Sequence, residues 1–167
     1  MLYVEKGKIY ARQGRTHDAA QQVDFARKLD LQDKYLNSKA AKYAFRNNDI
    51  ATGEAIMQMF YANSVVPGDT FLTALESQCL WYEYEVGQAY YRKGDYLSAL
   101  HNLLMFNLHH EHNHNELSDF HNYVFRRNTM RAWFNVIECD DNKTRNPFYH
   151  KYATALVRTY MRVHELG

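Results

Sequence analysis

Apolar and small residues recur along this chain at spacings of three and four, with no sustained alternation of apolar and polar positions. That periodicity predicts helices rather than strands. Residues 2–13 read as a first helix ended by Gly14. Thr16 to Leu29 carries Ala19, Ala20, Val23, Ala26 and Leu29 on one face, with Thr16 where an N-cap belongs. Further helices are predicted near 33–47 and 50–63. Val65-Val66-Pro67-Gly68-Asp69 interrupts the pattern, and Asp69 or Thr70 is placed to cap the next helix. Residues 71–92 read as one long helix ending at Gly94, and Asp95 opens another that carries Ala99, Leu100, Leu103, Leu104 and Phe106. His109 to Asn115 is polar and out of period, so it reads as a loop or a frayed helix end. A long helix is expected over 116–139 and a turn at 140–143. The last helix starts at Asn146-Pro147, since proline suits a first turn.

Superposed on this pattern is a repeat. Gly7, Tyr10, Gly14 and Ala19 reappear 80 residues later as Gly87, Tyr90, Gly94 and Ala99. A degenerate copy lies between them, with Ala41, Ala44, Asn48, Gly53 and Met57 standing for Gly7, Tyr10, Gly14, Ala19 and Val23. Asn48 keeps the turn chemistry, because Asn is the usual substitute for Gly in a left-handed conformation. The offsets match the tetratricopeptide unit, two helices joined by a tight turn with small residues at their crossing. The predicted fold is all-α: a tetratricopeptide-repeat solenoid of about eight helices in antiparallel pairs, wound as a right-handed superhelix. Residues 1–167 form a single domain in this reading, a fragment of a longer solenoid, with repeat-like units near 1–32, 33–66 and 70–108. The long helix and a closing helix fill 116–167.

Composition supports helices: the 167 residues include only seven Gly and two Pro. Aromatic content of 15%, with fourteen Tyr, suits stacked helices that need bulky wedges. A net charge of +1 gives no overall field for nucleic acid, so any anion site must come from local clustering. Cys79 and Cys139 are too few for a disulfide framework or zinc knuckle, and read as reduced thiols in a helical core; the compartment is then cytosolic or nuclear, and a cytoplasmic protein is expected. No apolar run approaches the roughly 18 residues a membrane span needs, and no signal peptide opens the chain, so no membrane association is expected.

The site candidates are few. His109, His110, His112 and His114, with His121 nearby, read as a solvated loop, and no metal site is assigned. No nucleophile elbow, phosphate loop or strand–loop–helix cradle for acetyl-CoA occurs, so no catalytic residue is assigned and the chain needs no cofactor of its own. Two basic groupings remain. Lys6, Lys8 and Arg12 lie on one helix and Lys34, Lys39, Lys42 and Arg46 on the next repeat's first helix, so the two sets face one concave surface. That grouping reads either as a solvated face or as an anion site. Arg126, Arg127 and Arg131 form a second grouping, suited to carboxylates of the scaffold itself or of a partner. Trp81, Tyr82, Tyr84, Tyr90, Tyr91 and Trp133 fall at helical spacing and read mostly as core wedges, with Trp81 and Tyr84 on one face.

Several segments go beyond generic repeat positions: Lys8-Ile9-Tyr10, Asn37-Ser38-Lys39, Ala41-Lys42-Tyr43, Gln78-Cys79 with Trp81, and Ala89-Tyr90 ahead of Ala99-Leu100. Asp119-Phe120-His121, Arg126-Arg127 and Asn146-Pro147-Phe148-Tyr149 continue the series. Over nearly its whole length the chain resembles the auxiliary subunit of the N-terminal acetyltransferase A complex, in its tetratricopeptide-repeat region. The resemblance implies a non-catalytic scaffold that binds and positions a catalytic GNAT-fold acetyltransferase subunit and supports co-translational N-terminal acetylation at the ribosome. It also implies inositol hexakisphosphate as a structural ligand, held here by Lys8, Lys34, Lys39 and Lys42. Ala11 stands where the family has a further lysine, with Arg12 beside it, and the His-rich segment departs from the family pattern. Outside the resemblance, the alternatives are a stand-alone tetratricopeptide adaptor of the chaperone-tail type, with the same lysines as a carboxylate clamp, and a helical metalloenzyme using the histidines.

Overall fold

The computed structural model describes residues 1–61, 69–127 and 129–166, excluding the side chains of residues 61, 110, 113 and 116–127. Among the described residues there are nine α-helices, one 3₁₀ turn and no strand. In order they are α1 (Leu2–Arg12), α2 (Thr16–Leu29), α3 (Lys34–Arg46), α4 (Ile50–Tyr61), α5 (Thr70–Glu76), α6 (Leu80–Lys93), α7 (Tyr96–Arg127), α8 (Met130–Asp141) and α9 (Pro147–Leu166). The 3₁₀ turn, Lys143–Arg145, precedes α9. The chain packs as two compact units, Met1–Asn102 and Leu103–Gly167.

The first unit is built as the repeat predicts. α1 packs on α2, α2 on α3, α3 on α4, and α3 also meets α6. Gly7 allows the first crossing, since a Cβ there would sit 2.5 Å from the Val23 side chain and 3.2 Å from the Ala19 carbonyl. Its core joins Val23, Ala41, Phe45, Ile56, Tyr82 and Val86, all buried, with the Phe45 and Tyr82 rings edge to face at 5.5 Å. Truncating a ring as enclosed as Phe45 typically costs about 3–5 kcal/mol.

Three of the helix-to-helix turns share one device. At Gly14 (φ 77°), Asn48 (φ 62°) and Gly94 (φ 83°) the chain enters the left-handed region. There the turn amide bonds a carbonyl three residues back and the next amide one five back, as in Arg15 to Tyr10, Asp49 to Ala44 and Asp95 to Tyr90. This Schellman arrangement satisfies the carbonyls that a helix end otherwise strands.

The same device explains a departure from the predicted elements. Residues 71–92 are not one helix: α5 ends at Glu76 and α6 starts at Leu80. Gln78 sits at φ 49°, and the Gln78 and Cys79 amides bond the carbonyls of Leu75 and Ala74. No Gly or Asn announces that turn, which is why periodicity runs straight through it. Asp69 does cap α5, accepting from the Leu72 amide at 2.9 Å. Thr16 proves to be the first residue of α2 rather than its cap, its hydroxyl donating to Asn47 Oδ1 at 3.1 Å.

In the second unit, Phe106 stacks on Tyr152 at 4.3 Å, with Phe148 and Tyr149 tilted around it. His109–Asn115, predicted as a loop or a frayed helix end, lies inside α7. His109 is buried there while His112 and His114 are exposed, so among the described side chains of the run His109 points inward and the others lie on the helix surface. The predicted 116–139 helix is likewise interrupted, with α7 ending at Arg127 and α8 starting at Met130. α8 buries none of its residues, which leaves Cys139 exposed rather than in a core, whereas Cys79 packs against the core of the first unit. The predicted break at Val65–Gly68 lies outside the described residues.

Candidate functional site

Helix α3 carries four of the candidate anion-site cations: Lys34, Lys39, Lys42 and Arg46. Asp33 caps it, its carboxylate accepting from the Tyr35 and Leu36 amides, and its inward face buries Leu36, Ala40, Ala44 and Phe45. Tyr35, Lys39, Lys42 and Arg46 then follow at intervals of four, three and four and form one outward stripe. Lys34 does not join them: five residues of helix rotate it about 140° from Lys39, and it is exposed in the first turn.

Along that stripe the cations divide. At the α1 end, the Lys39 ammonium lies 5.2 Å from the centroid of the Tyr35 ring. Lys8 of α1 donates to Glu5 at 2.6 Å. That hydrogen bond raises the Lys8 pKa above its ordinary value, and Tyr35 and Tyr43 of α3 raise it further. Lys8 and Lys39 thus lie on successive first helices, each engaged with a residue of its own helix. Lys6 and Arg15 flank the same surface, both over the Tyr10 ring, at 5.7 and 4.4 Å.

At the α6 end the cations are already engaged. Glu85 of α6 is buried, and its carboxylate accepts from Arg46 Nε at 3.1 Å on both oxygens and from a terminal guanidinium nitrogen at 2.7 Å. Lys42 approaches the same carboxylate at 3.4 Å and lies 5.8 Å from the Trp81 ring centroid. The hydrogen bond to Glu85 holds the Arg46 guanidinium above its ordinary pKa. Arg92 completes this end, donating to Asn48 Oδ1 at 2.6 Å and to the Phe45 carbonyl at 2.8 Å, so it caps the last turn of α3. Trp81 and Tyr84 are both half-buried rather than free on the surface.

Of the four predicted anion-site lysines, the structure ties Lys8 to Glu5 and Lys42 to Glu85, sets Lys39 beside Tyr35 on the α3 stripe, and leaves Lys34 off that stripe. Glu85 is the functional side chain that charge spacing alone missed. The repeat register does contain it. Glu5, Lys39 and Glu85 occupy one repeat position, Lys8, Lys42 and Gln88 a second, and Arg12, Arg46 and Arg92 a third. Placing those rows side by side puts an acid opposite the cations of the adjoining repeat.

Arg131, the described member of the second basic grouping, is exposed in the first turn of α8; the side chains of Arg126 and Arg127 lie outside the described residues. Among the described residues no three His, Cys, Asp or Glu side chains are grouped so as to hold a metal ion. His114 instead pairs with Asp140 at 2.7 Å, joining α7 to α8. No described helix is long and apolar enough to cross a membrane.

Comparison with known proteins places this arrangement. Residues 1–166 match the family model of the N-terminal acetyltransferase A auxiliary subunit. The chain is 34% identical over 165 residues to the N-alpha-acetyltransferase 16, NatA auxiliary subunit, of Mus musculus, covering 98% of the chain and 19% of that protein. It is 30% identical over 164 residues to the N-terminal acetyltransferase A complex auxiliary subunit NAA15 of Arabidopsis thaliana, covering 98% of the chain and 18% of that protein. Among solved structures, a chain of Naa15/Naa10 bound to HypK-THB matches with a TM-score of 0.87 and 31% identity, over 98% of this chain and 25% of that one. The chain thus spans about a fifth of the length of the curated relatives it matches. On the family-model match over residues 1–166 and these identities, the chain belongs to the N-terminal acetyltransferase A auxiliary-subunit family.

Proposed function

We propose that this chain works as a non-catalytic scaffold within a NatA auxiliary subunit, binding and positioning a catalytic GNAT-fold acetyltransferase subunit for N-terminal acetylation at the ribosome. The observation that carries the reading is the match, at a TM-score of 0.87, to a chain of a complex that contains Naa10. The architecture suits the role, because stacked helix pairs offer a long shaped surface and no residue set for bond chemistry.

Within that reading, the open end of the cation stripe serves as the inositol hexakisphosphate site. Lys8 and Lys39 supply its centre, with Arg12 and Lys34 within reach of a ligand that carries phosphates on all sides. Lys42 contributes field rather than a free ammonium, because Glu85 already engages it. Arg126, Arg127 and Arg131 are assigned to the partner-facing surface.

The test is co-elution. This chain, mixed with the catalytic subunit of its own complex, is expected to run as one species on size exclusion, and separate elution at micromolar concentrations would overturn the scaffold reading for this segment. Inositol hexakisphosphate is expected to raise the melting temperature of the chain alone, and Lys8→Ala/Lys39→Ala to remove that rise. An unchanged rise in the double variant would place the ligand elsewhere.

A further inference from the structure

Arg27 and Met59 join the second helices of the first two repeats, α2 and α4. Arg27 is only 6% exposed, and its guanidinium is matched by an acid on one side alone. Nε and one terminal nitrogen both bond Asp24 Oδ1, at 2.8 and 2.7 Å, while Lys28 takes Asp24 Oδ2 at 2.7 Å. The remaining nitrogen, Nη1, donates to the Met59 sulfur at 3.4 Å. Among the described residues it finds no oxygen acceptor. A thioether is a weak acceptor, so a buried, charged donor ends on a poor partner. Met59 itself is 53% exposed, whereas Met57, two residues away, is buried in the core. α4 lies within the first unit, packed on α3 and α5.

We propose that Met59 is a reversible oxidation site, and that Arg27 receives the sulfoxide so that oxidation tightens the join between repeats. A peroxide supplies the oxygen. A sulfur lone pair turned away from Arg27 attacks one peroxide oxygen, and the O–O bond breaks as the S–O bond forms. The hydrogen on the transferred oxygen passes to the departing one, which leaves as water when the oxidant is hydrogen peroxide. Sulfur gives up two electrons and the peroxide takes them. In the reverse step a sulfoxide reductase removes the oxygen as water, and two thiols become a disulfide. The sulfoxide oxygen is a polar acceptor, and a hydrogen bond from a guanidinium to oxygen is shorter and stronger than one between neutral groups. An unbranched, flexible methionine on the surface lets the sulfur withdraw by the length the new bond needs, so Arg27 stays on Asp24. Oxidation of a packed methionine usually loosens its surroundings. At Met59 the sign reverses, because the added oxygen meets a buried cation that lacks one. This site lies on α2 and α4, and its test is independent of the scaffold reading.

The experiment treats the whole chain with hydrogen peroxide, maps sulfoxides by peptide mass spectrometry, and follows melting temperature and amide exchange. Met161, 59% exposed, serves as the internal reference for susceptibility, since no hydrogen bond reaches its sulfur among the described residues. Met59 is expected to take up oxygen under conditions that oxidise Met161. The parent is then expected to melt about 2–4 °C higher, with slower amide exchange in α2 and α4. Sulfoxide reductase with dithiothreitol is expected to reverse the rise. Met59→Leu offers no acceptor and should show no rise under the same treatment. Met59→Gln places a carbonyl oxygen where the sulfoxide oxygen would stand, and should melt higher than Met59→Leu without peroxide. Both variants replace an exposed side chain and leave the core intact. Sulfoxide at Met161 with Met59 intact, an unchanged or lower melting temperature in the oxidised parent, or an equal rise in Met59→Leu would overturn the proposal. A Met59→Gln chain that melts no higher than Met59→Leu would overturn the role of Arg27 as receiver.

Discussion

Glu5 and Glu85 hold the same repeat position, yet one is exposed on α1 and the other is buried on α6. Glu5 pairs along its own helix with Lys8, and that hydrogen bond lowers its pKa below the ordinary carboxylate range. Glu85 reaches across to the preceding repeat and takes Arg46 and Lys42. The residue type is identical; what differs is that α6 packs over the stripe of α3. A covered acid becomes a clamp between repeats and consumes two cations. An uncovered one leaves its neighbours available to a ligand. The cation stripe is therefore internal glue at its α6 end and unclamped at the other, and the border runs between Lys39 and Lys42.

The largest expected effect tests that border directly. Arg46→Ala leaves the buried Glu85 carboxylate with Lys42 alone, at 3.4 Å. Removing one partner of a buried pair typically costs 3–5 kcal/mol; since the Arg46 side chain is 38% exposed, the loss should be about 2–3 kcal/mol. Lys39→Ala, three residues before Lys42 at the open end of the stripe, should change stability by less than about 0.5 kcal/mol. Urea denaturation of both variants makes the comparison. Equal losses would mean that the stripe has no border.

Helix boundaries and the turn residues Gly14, Asn48 and Gly94 were readable from spacing, because small residues at crossings and left-handed residues at turns leave local marks. The clamp was not, although each of its residues was visible. Glu85 looks like any surface glutamate until α6 is set against α3, and that contact lies 39 residues away in the chain. Periodicity also failed where chemistry was unusual: Gln78 turns the chain left-handed without Gly or Asn, and the His109–Asn115 run stays helical although its polarity suggests a loop. Charge spacing put Lys39 and Lys42 on one stripe of α3 but could not tell that Lys42 was engaged, since engagement depends on a partner from another repeat.

A second effect concerns the open half. Glu5 competes with any anion for Lys8, so Glu5→Gln should tighten inositol hexakisphosphate binding several-fold, by freeing one ammonium at the phosphate surface. Isothermal titration at two salt concentrations reads this, with the gain shrinking at high salt. Weaker binding in this variant would show that Glu5 positions Lys8 rather than neutralising it.

Burial without a cation gives the contrasting case. Glu54 is half-buried on α4, with no cation paired to it among the described residues, and burial, then Asp69, raise its pKa above its ordinary 4.5. The folded state therefore holds this proton more tightly than the unfolded state. Its contribution to stability is present below pH 4.5 and declines as pH rises through the folded-state pKa. Glu54→Gln should remove that decline and raise stability at neutral pH by about 0.5 kcal/mol, discounted for its remaining exposure. Melting temperatures from pH 4 to 8 separate it from the parent; parallel curves would mean that Glu54 is solvated in both states.

The smallest effect reaches the clamp through the backbone. α6 begins two residues after Gln78, so that turn sets where Glu85 arrives over α3. A side chain in the left-handed region costs roughly 1 kcal/mol, and glycine there loses about 0.5–1 kcal/mol through its freer unfolded chain. Gln78→Gly should therefore stabilise by no more than about 0.5 kcal/mol, while Gly94→Ala, with open space for the methyl but φ at 83°, should destabilise by about 1 kcal/mol. If the α5–α6 turn is the same device as the other three, both substitutions move stability in those opposite directions and leave the anion surface unchanged. A clear loss on Gln78→Gly would mean that the glutamine side chain itself holds the turn, and that Glu85 is delivered to the clamp by a contact other than the shared hydrogen-bond pattern.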